Sequence, residues 1–374
     1  MPKFNILELY AGTGRSLEPL LNWKRAGKTL LVDSNPYAKT VYVHNFPRSN
    51  YLTSDLTTAS PKELETSLGG KVDILLGCPP CQGYSDCGTR TWNDSRNKHM
   101  DRFLFYIERF RPRAVGIENV PLAYRSVRFR RLIQWFDEHQ FLWSASIVNA
   151  ALHGSCQTRQ RLILVALSRE VGIQPSFPSA SHGGTRKYFS YREQKMARID
   201  SDPRSMLGVA PGSMRVLRSG SGIANADSLK LGAKSIPTVG EQLEGLPKIG
   251  SASAKESNHF EWSHTQRISR RMDNVTEGGR WHGGDDHYSQ TYGRLHRRGL
   301  ARTITNYFPN AGSGRFWHPT ENRAISLREA ARIQGFPDSF RFLENHGENC
   351  CLVGNALDAA FARLTADMLK KYLE

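Results

Sequence analysis

Val72-Asp73-Ile74-Leu75-Leu76-Gly77-Cys78-Pro79-Pro80-Cys81-Gln82-Gly83-Tyr84-Ser85 runs from a short apolar stretch into a stiff Pro-Pro turn that ends in a cysteine. A short apolar run bounded by Gly and Pro reads as a buried strand. A cysteine at the mouth of such a strand is placed like a nucleophile. Thirty-seven positions on, a second apolar run, Ala114-Val115-Gly116-Ile117, ends in Glu118-Asn119-Val120, which sets a carboxylate at the tip of a neighbouring strand. Taken alone, Cys78 and Cys81 form a CxxC that also suits redox chemistry or half a zinc site, and a strand-end Glu is commonly a solvated loop residue.

The same rhythm extends outward in both directions. Residues 4–167 alternate short apolar runs with amphipathic stretches, the pattern of a parallel sheet with helices on both faces. Strands are expected near 5–10, 29–33, 72–76, 114–118, 143–149 and 161–167. Helices are expected over 15–26, 36–45, 60–68, 100–110 and 125–139, the third capped by Ser60 ahead of Pro61. The fold class is therefore α/β, a doubly wound, mostly parallel sheet over residues 1–168. Residues 169–325 carry 23 Lys and Arg against 14 Asp and Glu, a net of +9, and hold 19 of the 32 glycines. That composition predicts a smaller, loop-rich second domain. A helical pattern resumes at Ser326, and 326–374 is expected to return to the first domain.

The whole chain of 374 residues has 51 Lys and Arg against 35 Asp and Glu, a formal charge of +16. A surface so basic gains by releasing counterions from a polyanion, so nucleic acid is the expected partner. No apolar stretch approaches the roughly 18–20 residues that span a bilayer, and Met1-Pro2-Lys3-Phe4 leads into a strand without a signal-peptide layout. The expectation is an intracellular protein of the cytoplasm or nucleoid, with no membrane partner and no oligomer beyond the monomer. Six cysteines, at 78, 81, 87, 156, 350 and 351, are too few and too clustered for a disulfide framework.

At the first strand, Leu7-Glu8-Leu9-Tyr10-Ala11-Gly12-Thr13-Gly14 puts two glycines in the turn toward a helix, where backbone amides can meet a ligand. Asp33, 21 residues after Gly12, ends the second strand, where a carboxylate can accept from both hydroxyls of a ribose. Asp55 ends a short third strand in the same way. Arg159 and Arg161 alternate at the entry to a strand and so share a face.

In order, the chain shows Pro80-Cys81-Gln82, Glu118-Asn119-Val120, Gln157-Thr158-Arg159-Gln160-Arg161, Arg328-Glu329-Ala330-Ala331-Arg332-Ile333-Gln334-Gly335-Phe336-Pro337-Asp338 and Gly354-Asn355-Ala356. With this series, from Asn5 to about Tyr372, it resembles the DNA cytosine-5 methyltransferases. The resemblance implies S-adenosyl-L-methionine as cofactor, with no metal. It places Gly12 and Gly14 near the methionine part, Asp33 on the ribose, Asp55 on the adenine amine and Asn355 and Ala356 along the pocket, with Tyr10, Ser34, Leu56 and Pro80 completing the set. The sequence departs from the family at Asp33, where Glu is usual, at Arg15, where another glycine is usual, and at Leu357-Asp358-Ala359 in place of Val-Pro-Pro.

Four catalytic residues follow from the resemblance and from the chemistry. Cytosine C5 is a poor nucleophile, and a thiolate adding to C6 activates it, the role of Cys81. A neutral Glu118 would donate to N3 if burial raised its pKa, and the guanidinium forks of Arg159 and Arg161 would hold the base, a phosphate or the carboxylate. The target base must leave the stack of duplex DNA, so Gln82 to Lys98 is expected as a closing lid. Gln82, Ser85 and Arg96 in that segment, with Arg270, Arg271, Arg280, Arg297 and Arg298 in a target-recognition domain, form the expected DNA-contacting set. Double-stranded DNA is then the substrate, and a cognate restriction endonuclease is a functional partner compatible with the resemblance. The rival readings are a tRNA cytosine-5 methyltransferase, whose recognition region is much shorter, and a non-catalytic DNA-binding relative, which should have lost one of the four.

Overall fold

The structure, a computed structural model, describes residues 2–80, 98–183, 215–218, 221–225, 232–281 and 291–374. Nine strands form one sheet: β1 (Phe4–Leu9), β2 (Ala26–Asp33), β3 (Tyr51–Thr53), β4 (Ile74–Gly77), β5 (Ala114–Asn119), β6 (Leu142–Asn149), β7 (Gln160–Leu167), β8 (Arg215–Arg218) and β9 (Ser221–Asn225). Their spatial order is β3-β2-β1-β4-β5-β7-β6-β8-β9. The half from β3 to β5 is parallel, and every pairing beyond β5 is antiparallel. The expected doubly wound sheet is present, with an antiparallel extension that begins at the β6–β7 hairpin.

Register decides what the sheet presents. Leu9 pairs with Val32 and with Gly77, and Gly77 pairs with Ile117. The residues just past these pairs, Tyr10, Asp33, Cys78 and Glu118, therefore emerge along one carboxyl edge. Chain order reverses between β1 and β4, and such a switch point opens a crevice at that edge.

Both faces of the sheet are covered. The helices are α1 (Pro36–Asn45), α2 (Pro61–Leu68), α3 (Lys98–Phe110), α4 (Val127–Glu138), α5 (Val239–Leu243), α6 (Ala252–Glu256), α7 (Gln266–Asp273), α8 (Leu327–Ile333), α9 (His346–Asn355) and α10 (Ala359–Leu373). On α3 the apolar residues fall three and four apart, so Phe103, Tyr106, Ile107 and Phe110 form one stripe, buried with Leu75 and Val115 of the sheet. Each such side chain contributes about 1.5–3 kcal/mol by leaving water. Against the opposite face, α10 buries Phe361, Leu364, Met368 and Leu369 with Ile6, Leu31 and Ile74. The last long helix thus packs on the first strand. Ser60 caps α2 as expected, its hydroxyl accepting from the Glu63 amide at 3.1 Å.

One expected helix is absent. Residues 15–26 form turns around a three-residue 3₁₀ helix, Glu18–Leu20. Pro19 has no N–H to donate back to Arg15, and the amides of Leu20, Leu21 and Trp23 bond three residues back instead of four.

Outside the sheet, short helices and long connections dominate 232–342, and α5 to α7 are only five to eight residues each. Among the described residues, no helix is long and apolar enough to cross a membrane.

Candidate active site

A cavity of about 380 Å³ lies at the carboxyl edge. That size suits a cofactor or drug-sized ligand. Its first wall is the turn after β1. Gly12 has φ +51°, and its amide donates to Asp33 Oδ2 at 2.9 Å while Asn35 N–H donates to Oδ1 at 2.9 Å. Each oxygen keeps a free lone pair, so the carboxylate is fixed in place and still able to accept. Tyr10, also at positive φ (57°), turns its ring toward His99 at 5.4 Å between centroids. A non-glycine residue at positive φ is uncommon and marks a position the surroundings enforce. Ser34, Asp55, Leu56 and Pro80 line the same cavity. Asp55 Oδ1 accepts from the Thr57 amide and hydroxyl, each at 2.8 Å, and these bonds lower its pKa.

Gly14 is the exception among the expected cofactor residues. It does not line the cavity, because it packs inward, where a Cβ would strike the Tyr42 ring and Leu31. Its need for glycine comes from packing and from φ +68°. Arg15, beside it, lines the cavity but sends its guanidinium to the Gly335 carbonyl at 2.7 Å, over the Phe336 ring and to Glu18. The unusual arginine thus ties the turn to the segment after α8.

The second wall carries the acid. Glu118, near the end of β5, forms an ion pair with Arg161, Oε1 to Nε at 2.7 Å, with both side chains largely shielded. Asn119 holds the Pro79-Pro80 turn, its Nδ2 donating to the Pro79 carbonyl at 3.1 Å. Arg159 is buried and donates to the carbonyls of Ile304 (3.3 Å) and Gly354 (3.4 Å), while its Nε has no protein partner. Burial, then the neighbouring Arg161, lowers its pKa to about 9, which leaves it a cation at neutral pH. Arg159 and Arg161 line the cavity together.

The third wall comes from the far end of the chain. Asn355 and Ala356 line the cavity, and Gly354 lies against the backbone of Thr305 and Asn306, where a Cβ would clash. Gln157, fully buried, links the pieces: its amide donates to Gln334 Oε1 (2.9 Å) and Asp358 Oδ2 (3.0 Å) and accepts from Ile304 N–H (2.7 Å). Asp358, in the unusual Leu-Asp-Ala, also caps α10 through the Ala360 amide at 2.8 Å.

Cys81, Gln82, Ser85 and Arg96 lie outside the described residues, as does most of the expected lid. Pro80, immediately before Cys81, opens on the cavity. Cys78 lines it too, but burial first, then the charges of Glu118 and Glu8, raise its thiol pKa well above normal. It is a poor thiolate source. Of the other DNA-contacting candidates, Arg270, Arg297 and Arg298 are exposed, whereas Arg271 stacks on Trp281 at 4.6 Å and Arg280 is half-buried.

The sequence matches the family described as C-5 cytosine-specific DNA methylase over residues 4–371. The chain belongs to that family. The Type II methyltransferase M.DdeI of Desulfomicrobium norvegicum is 25% identical to it, over 99% of this chain and 89% of its own. The Type II methylase M.HgiDII of Herpetosiphon aurantiacus is also 25% identical, over 99% and 96%. Among solved structures, the Entamoeba histolytica methyltransferase EhMeth superposes with a TM-score of 0.64 over 100% of both chains at 15% identity, a likeness of fold. This cytosine-5 methylase is accordingly an S-adenosylmethionine-dependent DNA methyltransferase.

Among the cavity residues that sequence reasoning passed over are Glu8, Ser16 and His99. Glu8 had a visible signal, a lone charge inside the apolar run Phe4–Leu9. His99 had none, since its place depends on where α3 begins.

Proposed function

We propose that Cys81, Glu118, Arg159 and Arg161 methylate C5 of a cytosine rotated out of a specific duplex DNA site. The observation that carries this reading is one shared space: the Glu118–Arg161 pair and Pro80 open on the same cavity as Asp33. Acid, nucleophile turn and cofactor residues can then act on one substrate. The residues fit an adenosyl group, with Asp33 for the ribose hydroxyls, Asp55 for the adenine amine, and Tyr10, Leu56 and Pro80 as apolar walls. Asn355 and Ala356 close the pocket. Bound there, S-adenosylmethionine supplies the methyl group.

The chain's own residues do the rest. The Cys81 thiolate adds to C6, forming an S–C6 bond and moving the C5–C6 electron pair toward C5, while Glu118 protonates N3. C5 then takes the methyl group. Loss of the C5 proton and departure of Cys81 restore the double bond. Arg161 orients Glu118, and the unpartnered Nε of Arg159 remains free to donate to the base.

Trapping tests this. DNA with 5-fluorocytosine at the target blocks the final elimination, so a denaturation-resistant adduct should form only with S-adenosylmethionine and map to Cys81. Cys81→Ser should abolish it and Cys78→Ser should keep it; an adduct on Cys78 would overturn the assignment.

A further inference from the structure

We propose that Glu8 is the electrostatic counterpart of the cofactor's positive end, and that through it the protein distinguishes S-adenosylmethionine from the product S-adenosylhomocysteine. The proposal rests on the cofactor placement proposed above. Glu8 lies in β1, only 2% exposed, and lines the cavity. Its Oε2 accepts from the Leu17 amide at 3.0 Å, and the Ser16 backbone and hydroxyl favour the ionised form against the effect of burial. Of the other carboxylates in the cavity, Glu118 has a cation, Arg161, and Asp33 is held by backbone amides. No Lys, Arg or His among the described residues forms an ion pair with Glu8. A buried carboxylate without a cation is costly.

The groups around Glu8 make the cost worse. Asp33 of β2 repels it, Tyr42 of α1 and Tyr51 of β3 are neutral phenols, and the Cys78 thiol after β4 is held protonated. Burial, chiefly, pushes the Glu8 carboxyl up to about 7, so near neutral pH it is partly protonated. What Glu8 lacks is a cationic partner of its own.

The location identifies which charge. Asp33 and Cys78 both bear on Glu8, and Cys78 bears on Glu118 in turn. β1, which carries Glu8, lies between β2, which ends in Asp33, and β4, which precedes Cys78; Glu8 thus sits between Asp33 and Glu118. A donor with its ribose on Asp33 and its methyl group delivered to a base at Glu118 has its sulfonium in that interval. S-adenosylhomocysteine has the same ammonium and carboxylate but no sulfonium. Ionised Glu8 is therefore stabilised by the methyl donor and much less by the product.

The sign follows. A positive ligand returns the raised pKa downward, so binding releases protons and tightens as pH rises through 7. Calorimetry at pH 7 in buffers of different ionisation enthalpy should show more protons released per S-adenosylmethionine bound by the wild type than by Glu8→Gln, and a much smaller difference between the two proteins for S-adenosylhomocysteine. The donor's sulfonium lowers the pKa of its own ammonium, and the comparison with Glu8→Gln removes that ligand contribution. In the wild-type protein, the preference for donor over product should rise with pH between 6 and 8 several-fold more than it does in Glu8→Gln. Proton release and pH dependence unchanged in Glu8→Gln would overturn the role of Glu8. Failure of the wild type to bind either ligand would overturn the cofactor placement itself, and the two failures are distinct.

Discussion

The sheet edge and the loop-rich stretch from 257 to 342 use arginine in opposite ways. At the edge, Arg159 and Arg161 face a cavity, one with an unpartnered Nε and the other on a carboxylate. In the loops, several arginines are consumed by the fold. Arg294 donates to the carbonyls of Met272, Val275, His318 and Glu321, and Arg315 to those of Gly278 and Gly279. Arg328 holds Ser257, Pro337 and Phe340, and Arg323 forks onto Glu329 at 2.7 and 2.8 Å. Buried carbonyls must find donors. Where strands and helices are short, a planar guanidinium with five N–H groups supplies them. Basic charge in a sequence is thus an upper bound on charge offered to DNA.

This contrast can be broken at either end. Glu118→Gln should lower turnover by about 10²–10⁴-fold, the usual loss of a catalytic acid, with cofactor affinity and denaturation midpoint little changed. If that variant unfolds early instead, the edge is as structural as the loops. Arg323→Met should do the reverse. It leaves Glu329, 2% exposed, without its fork, and chemical denaturation should show a loss of about 3–5 kcal/mol. Activity per folded molecule should hold; unchanged stability with lost DNA affinity would place Arg323 among the DNA-contacting residues.

The smallest effect should come from the exposed pair. In Arg297→Ala with Arg298→Ala, the slope of log K against log salt should become shallower by about 0.9 for each phosphate contact removed. An unchanged slope would mean that these arginines, although exposed, face away from the duplex.

Much of the edge was legible because its signals are local. Apolar runs ending in Tyr10, Asp33 and Glu118 mark strands whose ends carry polar groups, and a parallel sheet aligns such ends. The expected helix over 15–26 failed on a local signal given too little weight, Pro19. Gly14 was placed on the ligand because glycine in such a turn has two causes, close ligand approach and close packing, and only coordinates separate them. The loop arginines were harder. Arg294 and Arg297 sit three positions apart in Tyr292-Gly293-Arg294-Leu295-His296-Arg297, yet one is buried and the other exposed. No periodicity marks which is which, because partners up to 28 residues away decide it.

Gln157 joins Ile304, Gln334 and Asp358, and the cavity takes its walls from Gly12 at one end of the sequence and Asn355 at the other. During synthesis, this cavity therefore cannot close until the segment around Asn355 has left the ribosome. Any nascent or prematurely terminated chain that stops before Leu352 lacks a wall of the pocket. The cavity closes only around a chain that has been carried past that point.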